Sequence, residues 1–68
     1  MELLFISQDG THYSCEVQPT TSFAEILNTY FFTCEGHALV FDGQRINLEQ
    51  TPNDYKMENG NMIDLFTY

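Results

Sequence analysis

Sixty-eight residues carrying ten acidic and two basic side chains, a formal net charge of −8 and 43% hydrophobic residues leave room for one hydrophobic core. A domain of this size buries only roughly 60% of the surface of its unfolded chain, which makes residues 1–68 a single domain and excludes a deep substrate cavity. With Arg45 and Lys56 the only basic side chains, binding to phosphate backbones or anionic membranes is disfavoured, because both depend on clustered Lys and Arg, and a protein partner with a basic surface is favoured instead.

Met1, Leu3 and Phe5 alternate with Glu2, Leu4 and Ile6, and beyond Gln8-Asp9-Gly10 the residues Tyr13, Cys15 and Val17 alternate with Ser14, Glu16 and Gln18. Two period-2 runs around an Asp-Gly turn predict a β-hairpin. Pro19 ends the second strand. Thr21 or Ser22 then sits at an N-cap position, with Glu25 as the capping-box partner of Ser22. Phe23, Ile26, Leu27, Tyr30 and Phe31 follow at i, i+3, i+4, i+7 and i+8, one helical stripe. The β-branched and aromatic residues of 29–33 are mediocre helix formers, so the helix is expected to end by about residue 33, with Gly36 as the stop signal. Ala38-Leu39-Val40-Phe41 predicts a short strand closed by the Asp42-Gly43 turn, and Arg45-Ile46-Asn47-Leu48 a weak one. Thr51-Pro52-Asn53-Asp54 combines a capping residue, Pro at the first helical position and an early acid, which predicts one 3₁₀ turn carrying Tyr55 inward. Asn59-Gly60 is a further turn, and Met62 to Thr67 the last strand, with Ile63 and Leu65 on one face.

The order is ββαββ with a short helical turn before the final strand. Two hairpins can bury their apolar faces against one amphipathic helix only in a two-layer α+β roll, a mixed sheet packed on that helix. The first and last strands are expected to pair in parallel at the centre of the sheet.

No stretch approaches the roughly 18 apolar residues of a membrane span, and Met1-Glu2 opens no basic signal-peptide region, so the chain reads as intracellular. In that setting Cys15 and Cys34 are expected to be reduced thiols rather than a disulfide. Cys34 and His37 have the spacing of two zinc ligands, but a structural site needs four, and Cys15 and His12 point to opposite faces of one strand. No metal, cofactor or enzymatic activity is expected, since no nucleophile motif, phosphate-cradling loop or paired carboxylate stands out.

Phe41-Asp42-Gly43-Gln44-Arg45-Ile46, then Thr51-Pro52, Met57-Glu58 and Ile63-Asp64, resemble the C-terminal half of SUMO, which carries F-[DE]-G-Q-R-I, a T-P pair, an M-E-x-x-D loop and an I-[DE]-V strand at matching spacings. Gln8-Asp9, Val17, Thr20-Thr21 and Tyr30 extend the resemblance over essentially the whole chain, with one short deletion after the helix. It implies the ubiquitin-like β-grasp fold. Three departures bear on function. The chain reaches Phe66-Thr67-Tyr68 without a Gly-Gly tail, so as written it cannot be conjugated. Glu16, Gln18 and Glu25 stand where SUMO has the basic residues that attract acid-flanked motifs, and Glu58-Asn59-Gly60-Asn61 keeps one acid where SUMO has several. These features resemble the tail-less SUMO-like domains of genome-maintenance scaffold proteins. The resemblance implies a nuclear, SUMO-pathway role in which Asp42, Gln44, Arg45, Glu58 and Asp64 hold the SUMO-conjugating enzyme non-covalently.

Strict alternation places Leu4, Ile6, Val40, Met62, Asp64 and Phe66 on the sheet face opposite Leu3, Phe5, Leu39, Phe41, Ile63 and Leu65. In a two-layer domain that face is open, and Leu4, Ile6, Val40 and Phe66 form a candidate partner patch. Leu4, Val40 and Phe66 match positions of ubiquitin's own hydrophobic surface. The alternative occupants are the rest of a longer parent protein or a second copy. Tyr13, Cys15, Ile26 and the edge of the second strand correspond to the groove in which SUMO takes up an extended peptide. With Glu16 and Glu25 beside it, only a hydrophobic peptide with basic flanks would suit; otherwise Tyr13 and Cys15 simply face the core. Three functions compete: a non-catalytic SUMO-like interaction domain, a covalent modifier whose Gly-Gly tail is missing here, and a structural subunit assembling through the sheet face.

Overall fold

The first hairpin forms where alternation and turn chemistry agree. In the computed structural model, which describes residues 1–68, β1 (Glu2–Ser7) and β2 (His12–Glu16) run antiparallel, with Leu3 opposite Cys15 and Phe5 opposite Tyr13. The Gly10 N–H donates to the Ser7 carbonyl at 3.0 Å and the Ser7 N–H to the Thr11 carbonyl at 2.9 Å. This closes a three-residue loop with Gly10 at φ 89°, a conformation that costs glycine little. The Asp9 carboxylate accepts from the Ser7 hydroxyl and, at 3.0 Å, from the Thr11 N–H. These bonds favour its ionised form and hold its carboxyl at about 2.

Helix α1 (Phe23–Phe31) starts at Ser22, whose Oγ accepts from the Glu25 N–H at 3.3 Å. Two of its first amides are satisfied from a distant segment: Phe23 N–H donates to the Gln50 carbonyl (3.0 Å) and Ala24 N–H to the Leu48 carbonyl (2.8 Å). Phe23, Ile26 and Leu27 are buried. The stop expected at Gly36 lies elsewhere. Phe32 takes the left-handed conformation, φ 71°, and ends the helix, while the Asn28 Oδ1 accepts from the Cys34 N–H at 2.8 Å and ties down the chain beyond. Gly36, φ 77°, instead turns the chain into the next strand beside the Tyr68 carbonyl, which would lie 3.2 Å from a Cβ there.

Strands β3 (His37–Phe41) and β4 (Gln44–Arg45) are joined by Asp42 and Gly43 at φ 54° and 78°, the two positive angles of a tight hairpin turn. The strand expected over Arg45 to Leu48 is confined to Gln44–Arg45. Ile46 still donates to the Leu39 carbonyl at 2.8 Å, but the chain then leaves the sheet. Its carbonyls at Leu48 and Gln50 are the ones that accept from the start of α1, and the Asn47 N–H donates to the Tyr55 hydroxyl at 2.8 Å.

The 3₁₀ helix Pro52–Tyr55 carries a reciprocal capping box. Thr51 Oγ1 accepts from the Asp54 N–H, and the Asp54 carboxylate accepts from the Thr51 N–H. Tyr55 is half-buried, its ring edge-on to Phe23 with centroids 6.0 Å apart. Strand β5 (Met62–Thr67) then pairs in parallel with β1 and antiparallel with β3, giving the order β2-β1-β5-β3-β4. Leu3, Phe5, Leu39, Ile63 and Leu65 of the sheet and Phe23, Ile26 and Leu27 of α1 form the centre of the core, with Phe41 partly buried at its margin. One helix is held against a five-stranded mixed sheet, the β-grasp arrangement. No helix is long and apolar enough to cross a membrane.

Candidate functional site

Because α1 covers only one side of the sheet, the alternate side chains of every strand are left bare. Strand register aligns them into rows. Arg45, Val40, Asp64, Ile6 and His12 lie side by side across β4, β3, β5, β1 and β2. A parallel row holds Met62, Leu4 and Ser14, and Phe66 lies opposite Ala38. Leu4, Ile6 and Val40 are half-buried, whereas Met62 and Phe66 are 60% and 40% exposed. The open face is therefore apolar with one carboxylate, Asp64, at its centre. That carboxylate has no ion-pair partner: the molecule's only salt bridge joins the Met1 amine to Glu16 at 2.6 Å.

All five residues of the expected acidic face are exposed, but they fall into two groups. Arg45 and Asp64 flank Val40 within the sheet, and Gln44 opposes Phe41 on the same hairpin. Asp42, in the turn after β3, and Glu58, in the loop before β5, lie at the end of the sheet where β5 begins. The same end carries Glu2 and Glu16, directly opposite each other. Like charges so placed repel, and hydrogen bonds relieve them: Glu2 Oε2 accepts from the Ser14 hydroxyl at 2.5 Å, and Glu16 Oε2 from the Met1 amine. Asn59 and Asn61, where SUMO has acids, secure the Glu58 loop. Asn59 Oδ1 accepts from the Glu2 N–H at 2.5 Å and Asn61 Oδ1 from the Glu58 N–H at 2.7 Å, while the Gly60 N–H donates to the Glu2 carbonyl at 2.7 Å.

A shallow cleft of about 150 Å³ lies between the end of β2 and α1, lined by Glu16, Val17, Gln18, Ile26 and Tyr30 among others. Of the three residues expected to form a peptide groove, only Ile26 lines it. Cys15 is buried in the core, since odd-numbered positions of β2 face α1, and burial pushes its thiol up, which keeps it protonated and unreactive. Tyr13 packs edge-on against Phe31 at 5.2 Å, away from the cleft. The Met1 amine and Val17 bond one another reciprocally at 2.8 Å, so Glu16 turns its carbonyl outward. That carbonyl accepts from the Tyr30 hydroxyl at 2.5 Å. No group of three or more His, Cys, Asp and Glu side chains is arranged to hold a metal, and Cys15 and Cys34 are unpaired.

Sequence reading passed over Met62 as a site residue, although its place in the alternation marks it, and it missed the Tyr30–Glu16 link, which no local pattern signals.

Residues 1–66 match the profile of the family described as ubiquitin-2 like Rad60 SUMO-like. Small ubiquitin-related modifier 2 of Arabidopsis thaliana is 33% identical over 64 residues, a similarity that covers 84% of this chain and 59% of that protein. The chain thus spans about three-fifths of the length of that curated relative. A helix gripped by a mixed five-stranded sheet and a family match over almost every residue lead to one assignment: this chain belongs to the Rad60-type SUMO-like family of ubiquitin-like domains.

Proposed function

We propose that this domain is a non-catalytic interaction module that docks a partner non-covalently, the SUMO-conjugating enzyme or another SUMO-pathway protein with a basic surface. The observation that supports this reading most is the clustering of exposed acids at one end of the sheet in a chain of net charge −8. Asp42 and Glu58 stand there with Glu2 and Glu16, and Arg45, Gln44 and Asp64 lie on the adjoining sheet. Such a field speeds encounter with a basic surface and fixes its orientation, and it weakens as salt rises. Titration of the conjugating enzyme by calorimetry tests it. The double variant Asp42→Arg/Glu58→Arg is expected to weaken binding at least roughly tenfold at low salt, the scale of losing one or two charge pairs; unchanged affinity removes this surface from the account.

A second reading is favoured by the relative named as a modifier: a covalent ubiquitin-like modifier. Gly-Gly encoded beyond Tyr68, with ATP-dependent thioester formation on an activating enzyme, would support it. An unrelated continuation of the reading frame would remove it.

A further inference from the structure

The chain has a single lysine, and its placement is unusual. Lys56 caps the end of the 3₁₀ helix in the left-handed conformation, φ 54° and ψ 39°, which glycine or asparagine adopts at lower cost. Backbone chemistry therefore does not select a lysine here. Its side chain is exposed and, in a molecule with ten acidic residues, makes no ion pair. Asp54, two residues before it, turns its carboxylate back onto the Thr51 N–H at 2.9 Å. Glu58, two residues after it, is exposed as well, while Met57 between them is buried. The two charged side chains project outward around a buried anchor.

Hydrogen bonds hold this segment along its length. The Tyr55 hydroxyl accepts from the Asn47 N–H at 2.8 Å, the Lys56 N–H donates to the Asn53 carbonyl at 3.1 Å, the Met57 N–H to the Pro52 carbonyl at 3.0 Å, and the Glu58 N–H to the Asn61 Oδ1 at 2.7 Å. The amine thus sits on a flexible stem above a fixed backbone, with a fixed acid beside it. The other primary amine of the chain, at Met1, is engaged: it donates to the Glu16 carboxylate at 2.6 Å and to the Val17 carbonyl at 2.8 Å. Of the two, Lys56 is the one free to react.

We infer that Lys56 is an acceptor amine for a SUMO-type modifier carried as a thioester on its conjugating enzyme, and that Glu58 is the residue that positions this acceptor against the enzyme. The inference rests on the reading of the domain as a partner of that enzyme and goes further by assigning a reaction to one side chain. Once the ammonium has given a proton to water or to a base of the enzyme, the Nζ lone pair attacks the thioester carbonyl carbon. The C–N bond of the isopeptide forms, the C–S bond breaks, the enzyme's cysteine leaves as the thiolate, and a second amine proton passes to solvent. No oxidant or reductant takes part. Glu58 contributes by pairing with a cation of the enzyme's basic surface, which keeps the amine close to the thioester and raises its effective concentration there.

The test is a reconstituted transfer with the domain, SUMO, its activating and conjugating enzymes and ATP, read by intact mass and by the mass of the cross-linked tryptic fragment. One adduct is expected, at Lys56, and Lys56→Arg, which keeps the charge, is expected to abolish it. Glu58→Gln is expected to raise the domain concentration at half-maximal rate by roughly threefold to tenfold, the scale of one charge pair, with the limiting rate little changed, and Glu58→Asp to recover part of that loss. Lys56→Arg/Thr20→Lys moves the lysine to another exposed position with Ser22 in place of an acid two residues on; its modification is expected to be at least fivefold slower. An adduct that survives Lys56→Arg, equal modification at position 20, or indifference to Glu58→Gln overturns the inference. So does equal transfer of ubiquitin to Lys56 from a ubiquitin-charged enzyme, which would make the lysine merely an accessible amine. If calorimetry shows binding that Asp42→Arg weakens but no adduct forms, the docking reading stands and this inference fails. If the Glu58-dependent adduct forms without measurable binding in calorimetry, the acceptor assignment stands and stable docking fails.

Discussion

Two single residues outside the core, Phe32 and Asp9, each bear on the stability of the fold. Phe32 ends α1 at φ 71° with its side chain 94% exposed, so it bears the steric cost of the left-handed region, roughly 1–2 kcal/mol for a residue with a Cβ, without a compensating core contact. Phe32→Gly is expected to raise the stability by about 0.5–1 kcal/mol, the relief of that strain less the greater entropy of glycine in the unfolded chain. Chemical denaturation measures it, and an unchanged or lower midpoint would mean that the ring has contacts or a strain-free fit not accounted for. Asp9 is the other. Its carboxyl is held at about 2, against 3.8 for an ordinary aspartate, first by the Ser7 hydroxyl and then by the Thr11 N–H. A group whose folded-state pKa is depressed contributes stability that is fully present above the unfolded value and is lost as pH falls through the folded one. The difference in stability between wild type and Asp9→Asn is therefore expected to be constant above about pH 4.5 and to shrink between pH 4 and 2. A difference that does not vary over that window would show that the turn does not hold the ionised form.

Among the elements, β2 is the longer of the two edge strands of the sheet, and such a strand invites pairing with other chains. Its end is held by α1 through the Tyr30 hydroxyl on the outward carbonyl of Glu16. Tyr30→Phe keeps the ring and removes that one bond, so it is expected to destabilise the domain by about 1 kcal/mol and to lower the melting temperature by roughly 4–8 °C. A melting temperature within a degree of wild type would show that the bond contributes nothing. The elements whose limits depend on neighbouring residues were legible in the sequence. Ser22 begins α1, the Thr51-Pro52-Asp54 group forms its 3₁₀ turn, and Asp42-Gly43 makes the β3–β4 turn. Those set by distant partners were not. β4 is short because the carbonyls of Leu48 and Gln50 turn away to serve the first amides of α1, whereas α1 ends at Phe31, within the limit of about residue 33 set by its weak helix formers, and only the residue that stops it, Phe32 rather than Gly36, was not legible. The site divides in the same way. Alternation was enough to put Leu4, Ile6, Val40 and Phe66 on one face, but only the pairing register shows that Asp64 stands between Val40 and Ile6.

At the scale of the whole molecule, core and candidate site occupy opposite faces of one five-stranded sheet, so the two can be altered separately. A 68-residue domain has a total stability of roughly 3–10 kcal/mol, resting on a single core cluster of twelve buried residues. Leu27 is fully buried in it, on the helix face against the sheet. Leu27→Ala removes that side chain and leaves a cavity, at a cost of about 2–5 kcal/mol, a large share of everything holding the fold together. Met62→Lys, on the open face at 60% exposure, is expected to shift stability by no more than about 0.5 kcal/mol. Urea denaturation of the two variants beside wild type checks both figures. The contrast follows from the architecture: the apolar side chains that face α1 form the buried core, and those on the other face lie outside it, half-buried or exposed. If Met62→Lys proved as costly as Leu27→Ala, the outer face would be part of the structural core and the separation would fail. If Leu27→Ala cost less than about 1 kcal/mol, the helix would not be gripped by the sheet as its burial requires.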